Sequence, residues 1–353
     1  MLKVNQLYKS YKPKGEIGIS GCGNQLVEKG QMEPNNPDYA LQNVSFTVDK
    51  HEILAILGEN GSGKSTLLKI LSGLLQTDSG EVILNKKRIE GPSSKLVAGY
   101  DQIKLIHQNF NLFPNKTLEE NILYVMRFQT DDYQQKKLDE LLVLFNLSEI
   151  ADKLPKEVSG GEQQRTAIAA ALSTKTELLL FDEPFSNLDQ FNTFILQEQI
   201  RKLSKKWGIP IVFVTHRPED ALSMSKTVSV LKDGQIVQTG TPIVIYNNPK
   251  SAYVAGLTGN YNLLNNAAIK HKLGLLRNYS YGIRLQDISI SDELSADFQV
   301  VVKNVNFYGG YYVYKVVLNN VFQLLLTHQS PDFQIGSNIF VKFNKERIFK
   351  FDN

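Results

Sequence analysis

Apolar residues in the first two thirds of the chain recur at two different spacings. Residues 1–8 and 41–49 are predicted to be strands. Apolar–polar alternation in 41–49 predicts one buried face, because side chains on a strand point alternately to opposite sides. Wholly apolar runs predict strands buried on both faces, within 51–59, 177–184 and 209–216. Helical spacing predicts helices at about 65–75, 117–128, 134–146, 161–174 and 189–206. Buried strands alternating with helices predict an α/β fold with a parallel sheet covered on both faces.

Short strands replace this pattern after about residue 248. Four segments rich in Val, Tyr, Phe and Leu are separated by GG, NN and SPD turns, at 299–308, 311–318, 321–328 and 338–343. Short strands at this spacing predict a small, mostly β domain of the sandwich or barrel type. We therefore expect two domains, residues 1–248 and 249–353, and a length of 353 residues also favours two domains.

A polar segment interrupts the first domain between its first two predicted strands. Residues 12–38 are rich in Gly, Pro, Asn and charged residues, which favour turns and surface loops. We interpret about residues 14–37 of this segment as a surface insertion, and the sequence predicts no function for it.

Composition and charge narrow the classes of partner. The net charge of +3 is too small to predict nucleic acid or a strongly anionic membrane surface as the main partner. No stretch approaches the roughly 18 consecutive apolar residues of a membrane-spanning helix. We therefore expect that the chain does not cross a bilayer and that other chains form any pore it serves.

A glycine-rich segment lies between a predicted buried strand and a predicted helix. It reads Gly58-Glu59-Asn60-Gly61-Ser62-Gly63-Lys64-Ser65, continues into Thr66, and fits the pattern G-x-x-x-x-G-K-[ST]. Glycines let consecutive backbone N–H groups point at phosphate oxygens, and the helix N-terminus adds positive potential. We expect the whole segment to bind a nucleotide, with Lys64 on the outer phosphates and the Ser65 hydroxyl on Mg²⁺.

Two carboxylates end the apolar strand that follows much later in the chain. Leu178-Leu179-Leu180-Phe181 runs into Asp182 and Glu183. A buried strand delivers Asp182 beside the phosphate-binding segment, where it can hold the Mg²⁺ shell. Glu183, one position on, is then able to polarise an attacking water.

A further segment carries a specific family resemblance. Val158-Ser159-Gly160-Gly161-Glu162-Gln163-Gln164-Arg165 resembles the signature motif of ABC ATPases and precedes Asp182 at that family's usual separation. The resemblance implies that Ser159, Gly160, Gly161 and Glu162 close over the γ-phosphate of ATP bound to a second subunit, so that two subunits enclose two ATP molecules. The same residues also predict a helix N-cap at Ser159 with a capping box to Glu162.

Other elements of the ABC ATPase pattern occur in the family's order. Gln108 matches the glutamine that contacts Mg²⁺ and the lytic water, and His216 matches the histidine that contacts the γ-phosphate and supports Glu183. Residues 186–189 (SNLD) resemble the loop that crosses the dimer interface. Tyr11 resembles the aromatic residue that stacks on adenine, and Tyr39 is the alternative because it lies nearer the following strand.

The second half of the chain is similar to one subgroup of this family. The segments 239–242 (TGTP), 245–249 (IYNNP) and 281–284 (YGIR) resemble the tail of importer ATPases that carry a C-terminal OB-like domain. These ATPases serve maltose, polyamine, iron and sulfate uptake, and residues 181–189 are closest to the iron and polyamine branch. Glu162 and the pair Arg217-Pro218 depart from the commonest motifs, and the second departure concerns the turn after His216.

The resemblance implies an ATPase subunit with a P-loop domain, a helical subdomain at about 109–160 and an OB-like barrel. Catalysis is assigned to Glu183, His216 and Lys64, with ATP as substrate and Mg²⁺ held by Ser65, Gln108 and Asp182. The implied partners are a second copy, integral membrane permeases and, indirectly, an external solute-binding protein. The implied location is the cytoplasmic face of the cell membrane.

Three alternative functions remain open at this point. The chain could be the ATPase of an exporter, against which the C-terminal β domain argues. It could be an ABC protein of DNA repair or translation, but it has neither a long coiled-coil insertion nor tandem ATPase halves. It could be a regulatory module without hydrolysis, which the presence of Glu183 and His216 disfavours.

Overall fold

The structure is a computed structural model that describes residues 1–11, 39–107, 112–319 and 321–352. Within this part of the chain, two compact units are distinguished, Met1–Thr239 and Gly240–Asn353. The predicted insertion at 14–37 lies outside the described residues. Nowhere in the described ranges is a helix both long and apolar enough to span a bilayer.

The described part of the first unit combines two sheets with six helices. The strands are β1 Leu2–Ser10, β2 Tyr39–Val48, β3 Ile53–Leu57, β4 Ser79–Leu84, β5 Lys87–Ile89, β6 Ile103–Ile106, β7 Leu178–Asp182, β8 Ile211–Thr215, β9 Thr227–Lys232 and β10 Gln235–Gly240. The helices are α1 Lys64–Leu71, α2 Leu118–Val125, α3 Asp131–Leu144, α4 Gly160–Leu172, α5 Gln190–Trp207 and α6 Pro218–Met224.

A six-stranded sheet forms the centre of this unit, in the order β10-β9-β3-β8-β7-β6. The pairs β6–β7, β7–β8, β3–β8 and β3–β9 are parallel. Every residue of β3 and β8 is buried, as their wholly apolar sequences require when helices cover both faces. The predicted α/β fold with a parallel sheet is therefore confirmed.

An antiparallel sheet in the order β2-β1-β4-β5 packs against α1. Leu67, Leu68 and Leu71 of α1 belong to one core cluster with residues of β1 and β2 and with residues of the central sheet, such as Ile56 and Val212. The alternation predicted for residues 41–49 is confirmed in β2, where buried and exposed positions alternate from Gln42 to Val48. In β1 the alternation breaks between Val4 and Leu7, where the pairing with β2 shifts register. The apolar residues of α1 thus pack against both sheets, and this packing fixes the position of Lys64 at the start of the helix.

Three helices lie between β6 and β7 in the chain. Helix α2 packs against α4, and α3 contacts both of them. Buried Asn121 of α2 donates from Nδ2 to the carbonyl oxygens of Phe113, Lys116 and Thr117, at 3.2, 3.0 and 2.8 Å, and so holds the loop before the helix. Residues 112–160 of the predicted helical subdomain thus contain two helices, and α4 begins at Gly160.

The described part of the second unit, residues 240–319 and 321–352, contains two antiparallel sheets and three short helices. Its strands are β11 Tyr261–Leu263, β12 Tyr281–Arg284, β13 Ile288–Ser291, β14 Phe298–Phe307, β15 Tyr312–Leu318, β16 Phe322–His328, β17 Asn338–Phe343 and β18 Phe349–Lys350. Its helices are α7 Pro242–Asn247, α8 Ala252–Thr258 and α9 Ala267–Lys272. The sheets have the orders β11-β12-β18 and β13-β17-β14-β15-β16. The small β domain and its four predicted strands are confirmed.

Buried Arg284 explains why the second unit begins before the predicted boundary at residue 248. Its guanidinium donates to the carbonyl oxygen of Tyr246 in α7 at 2.9 Å and to that of Ala255 in α8 at 2.9 Å. It also donates to the Thr258 hydroxyl at 2.9 Å. These hydrogen bonds tie α7 and α8 to strand β12.

Candidate functional site

The phosphate-binding segment forms the connection between β3 and α1. Gly61 and Gly63 have φ of +86° and +103°, a backbone conformation that residues other than glycine rarely adopt. A Cβ at Gly63 would lie 2.4 Å from the carbonyl oxygen of Ala40. The pattern of glycines is therefore a requirement of this turn. Glu59 and Asn60 are exposed on it, whereas the Ser62 side chain is buried beneath it.

Lys64 is the first residue of α1, and its side chain is buried within the segment it ends. Its Nζ donates to the carbonyl oxygens of Gly58 and Glu59, both at 2.8 Å. Burial lowers the pKa of Lys64, and the negative charges of Glu183, Asp182 and Glu59 oppose this effect. The ammonium is thus held in a partly dehydrated position. The attraction between the ammonium and a nearby anion is stronger there than in bulk water.

Asp182 ends β7 and faces the start of α1. Burial raises the pKa of Asp182, the nearby Ser65 hydroxyl lowers it, and the charge of Glu183 raises it further. A carboxylate and a nearby hydroxyl oxygen are the hard oxygen donors that Mg²⁺ prefers, so these two residues fit the predicted metal role.

Glu183 and His216 follow the neighbouring parallel strands β7 and β8. His216 Nδ1 lies 2.9 Å from Glu183 Oε1, and the backbone N–H of Glu183 donates to Val214 at 3.1 Å. Glu183 has φ of +50°, a strained conformation for a residue other than glycine. The predicted base and its supporting histidine are brought into direct contact.

The signature segment forms the N-terminus of α4. Ser159 is the N-cap, and its Oγ accepts from the Glu162 backbone N–H at 3.3 Å, while Glu162 Oε2 accepts from the Ser159 N–H at 2.7 Å. The predicted capping box is confirmed. Burial raises the pKa of Glu162, but the two hydrogen bonds from Ser159 and the charge of Arg165 outweigh this and lower it overall.

The two glycines of this segment have different surroundings. A Cβ at Gly160 would meet no atom within 4 Å, whereas one at Gly161 would lie 3.3 Å from the side chain of Asn192 in α5. Gly161 therefore faces the rest of its own chain, and Gly160 lies on the open side of the helix N-terminus. That open side is available to an anion, since the first N–H groups of a helix lack partners within the helix.

The two tyrosines considered for adenine stacking have different contacts. Tyr11 is 61% exposed, and its hydroxyl lies 3.0 Å from the Thr66 hydroxyl in α1. The ring of Tyr39 packs edge-on against Tyr8, with the ring centroids 6.2 Å apart. Tyr11 is therefore largely exposed beside the phosphate-binding segment, with Lys9 Nζ 5.9 Å from its ring centroid, while part of the Tyr39 ring is in contact with Tyr8. Gln108, the third predicted Mg²⁺ ligand, lies outside the described residues.

Two side chains that the sequence did not assign to the site hold the turn after Glu183. Buried Gln164 of α4 donates from Nε2 to the carbonyl oxygen of Pro184 at 2.5 Å. Arg217 donates from Nη1 to the carbonyl oxygen of Phe185 at 2.9 Å. Arg217 stood out in the sequence only as a departure from the family pattern, and contacts with backbone carbonyls leave no sequence signal.

Residues 41–186 match the family model described as ABC transporter. The ATP-binding cassette MJ0796, in a dimeric post-hydrolysis state with ADP and Pi, is 28% identical, with a TM-score of 0.54. A dimeric structure of MJ0796 described as a bacterial ABC transporter cassette is 29% identical, with a TM-score of 0.55. Each match covers 69% of this chain and 99% of that chain.

CbiO1 from Clostridium perfringens, described as part of the ABC transporter complex cbiONQ, is 24% identical with a TM-score of 0.58. That match covers 69% of this chain and 89% of CbiO1, and it shows a shared fold. The family model spans the phosphate-binding segment, the signature segment and the two strand-end carboxylates. This chain therefore carries an ABC ATPase domain, which binds ATP and hydrolyses it.

Proposed function

We propose that the chain is the ATP-hydrolysing subunit of an ABC importer and works as a homodimer on separate membrane permeases. The observation that carries the catalytic part is the convergence of Lys64, Ser65, Asp182, Glu183 and His216 at the ends of β3, β7 and β8. Carboxyl ends of parallel strands are where ligands bind in open α/β sheets. Mg-ATP is the substrate that fits these groups.

Each residue contributes a defined step to hydrolysis of the γ-phosphate bond. Glu183 orients the attacking water and accepts its proton, and His216 holds the Glu183 carboxylate through the 2.9 Å hydrogen bond. Lys64 moves its ammonium from the carbonyl oxygens of its own loop to the phosphates. The backbone N–H groups of the phosphate-binding segment fix the phosphates in place.

Ser65 and Asp182 would hold Mg²⁺, with Gln108 as a third ligand. Bound Mg²⁺ would neutralise charge on the β- and γ-phosphate oxygens. The Ser65 hydroxyl and the Asp182 carboxylate lie near each other and near Lys64, as their effects on the pKa values of Asp182 and Lys64 indicate. The pKa of Asp182 is raised because burial disfavours its ionised form. A nearby cation would favour that form.

The open side of α4 supports a role across a dimer. Gly160 is unobstructed, and Ser159 presents its hydroxyl at a helix N-terminus, so both can approach the γ-phosphate bound by a second copy. The two MJ0796 structures are dimeric ABC cassettes, which favours the same assembly for this chain. In this arrangement Tyr11 stacks on the adenine and residues 186–189 line the interface.

The second unit supports the importer assignment. Its antiparallel strands are compatible with the OB-like domain implied by the tail segments at 239–249 and 281–284. CbiO1 is described as part of a transporter complex, which favours permease partners here as well. We place the chain on the cytoplasmic face of the membrane, driving uptake of a small solute or ion that an external binding protein delivers. Iron and polyamine uptake are slightly favoured.

Isolation of the complex from native membranes tests this assignment. We expect the tagged chain to bring down integral membrane permeases, and the reconstituted complex to accumulate solute inside vesicles only when ATP is present on the side of this chain. Net efflux would indicate an exporter, and capture of ribosomes or DNA without membrane proteins would contradict the proposal.

A further inference from the structure

The turn that carries Glu183 is held by contacts from two other elements. Its backbone is in the left-handed region at Glu183, a conformation that costs free energy and persists only when surrounding contacts determine it. Ser186 Oγ donates to the carbonyl oxygen of Glu183 at 3.0 Å within the turn. From outside it, Gln164 and Arg217 each donate to a carbonyl oxygen of the next two residues.

Arg217 also belongs to the turn that carries His216. It directly follows His216 in the chain, and its backbone N–H donates to Thr215 Oγ1 at 3.0 Å. Its Nη1 donates to Phe185 at 2.9 Å, two residues after Glu183. One residue therefore joins the two turns whose side chains form the 2.9 Å hydrogen bond between His216 and Glu183.

The guanidinium of Arg217 also forms an ion pair with a second partner. Arg217 Nε lies 3.4 Å from Oδ2 of buried Asp220, and Gln197 Nε2 donates to Asp220 Oδ1 at 3.3 Å. Burial raises the pKa of Asp220, and the charge of Arg217 opposes this. The fork of donors on a guanidinium can serve the carboxylate and the carbonyl together, whereas a lysine offers a single point of donation.

We propose that Arg217 is a positioning residue for hydrolysis, which acts by holding the Glu183 turn against the His216 turn. The inference rests on the proposed roles of Glu183 and His216. It assigns a purpose to the residue at which this chain departs from the commonest importer pattern. Because Arg217 acts on the geometry of the base and has no contact with the phosphate-binding segment, its loss should affect turnover and leave nucleotide binding intact.

The test compares Arg217→Ala with wild type in ATPase assays and in ADP titrations of the full chain. We expect kcat to fall roughly 10- to 100-fold, as small displacements of catalytic groups do, and the Kd for ADP to stay within about twofold. Added guanidinium ion, below denaturing concentrations, should restore part of the lost kcat. Arg201→Ala is the matched control, since Arg201 also donates to a carbonyl oxygen, that of Ser223, and pairs with an acid, Glu198, away from the site.

Arg217→Lys covers the case in which the alanine variant does not fold, because it keeps a positive charge beside Asp220. We expect this variant to fold, to bind ADP normally and to show a kcat clearly below that of wild type. Wild-type kcat in either variant, or a parallel loss of ADP binding and kcat, would overturn the positioning role. Absence of ATPase activity in the wild-type chain would instead contradict the proposed function.

Discussion

Two oppositely charged side chains occupy partly dehydrated positions beside the phosphate-binding segment. Burial lowers the pKa of Lys64 and raises the pKa of Asp182, so in both residues burial disfavours the ionised form. A phosphate anion beside Lys64 and a metal cation beside Asp182 would each favour the ionised form. The electrostatics of the site are therefore suited to a ligand that carries both, as Mg-ATP does.

Replacement of Lys64 by alanine tests whether the positive charge beside the phosphates is needed for hydrolysis. We expect ATPase activity to fall by about 100-fold or more, because the variant loses the ammonium that stabilises charge on the transferred phosphate. Lys69→Ala, at an exposed position of the same helix, serves as the control and should keep full activity. Unchanged turnover in Lys64→Ala would refute the assignment of the site.

Sequence reasoning reached the residues of the site that belong to motifs or to strand ends. The position of Asp182 at a strand end predicts that it lies beside the phosphate-binding segment, and Ser65 and Lys64 of that segment are near enough to lower its pKa. The φ of +50° at Glu183 and the contact of Arg217 with Phe185 could not be anticipated in this way. Backbone strain and hydrogen bonds to carbonyl oxygens depend on tertiary packing, and almost any residue type can supply the carbonyl.

At the scale of elements, the N-terminus of α4 shows one motif with two physical roles. The capping box satisfies N–H groups of the helix, which is a local stabilising effect. The same N-terminus leaves Gly160 open, where a phosphate can approach. Because the Glu162 carboxylate accepts both the N–H and the hydroxyl of Ser159, its ionisation holds the motif in shape.

We predict that Glu162→Ala destabilises the protein by about 1 kcal/mol at neutral pH, as loss of a helix cap does. The pKa of Glu162 in the folded protein lies below its ordinary value of 4.5, so the stabilisation that Glu162 provides is fully present above that value and is lost as the pH falls through the folded-state pKa. Urea unfolding of variant and wild type should therefore converge in strongly acidic buffer. An equal difference at neutral and acidic pH would contradict this, and Glu293→Ala, at an exposed position of the second unit, is the control.

Elements with a strong apolar period could be predicted, and short ones could not. The predicted helix at 189–206 corresponds to α5 at Gln190–Trp207, and the predicted strand within 209–216 corresponds to β8. Strands β4, β5 and β9 were not predicted. β5 has three residues, none of them buried, so its position depends on pairing with β4 and not on its own pattern.

At the scale of the whole molecule, the two units have separate hydrophobic cores. The first core surrounds α1 and the central sheet, and the second lies between the strands of the five-stranded sheet and α9. The change in apolar pattern near residue 248 revealed the second domain. The hydrogen bonds by which Arg284 of β12 holds α7 and α8 within this unit were not predictable, because a lone arginine in a strand gives no indication of its partners.

We predict that a fragment of residues 1–240 folds and binds ATP without the second unit. This fragment keeps all strands of the central sheet, including β10, together with the phosphate-binding segment. Differential scanning fluorimetry should show an increase in Tm on addition of Mg-ATP, with the full chain as the reference. A fragment that is folded by circular dichroism but shows no shift in Tm would contradict the prediction.

The central claim is that two copies of this chain enclose Mg-ATP and that Glu183 is the base that hydrolyses it. The most direct measurement is size-exclusion chromatography with light scattering on Glu183→Gln, which keeps the shape of the side chain and removes its basicity. We predict that Glu183→Gln forms a stable dimer with Mg-ATP and is a monomer with ADP. Wild type hydrolyses its ATP and should not accumulate as a dimer. A Glu183→Gln variant that stays monomeric with Mg-ATP and turns it over at the wild-type rate would contradict the account.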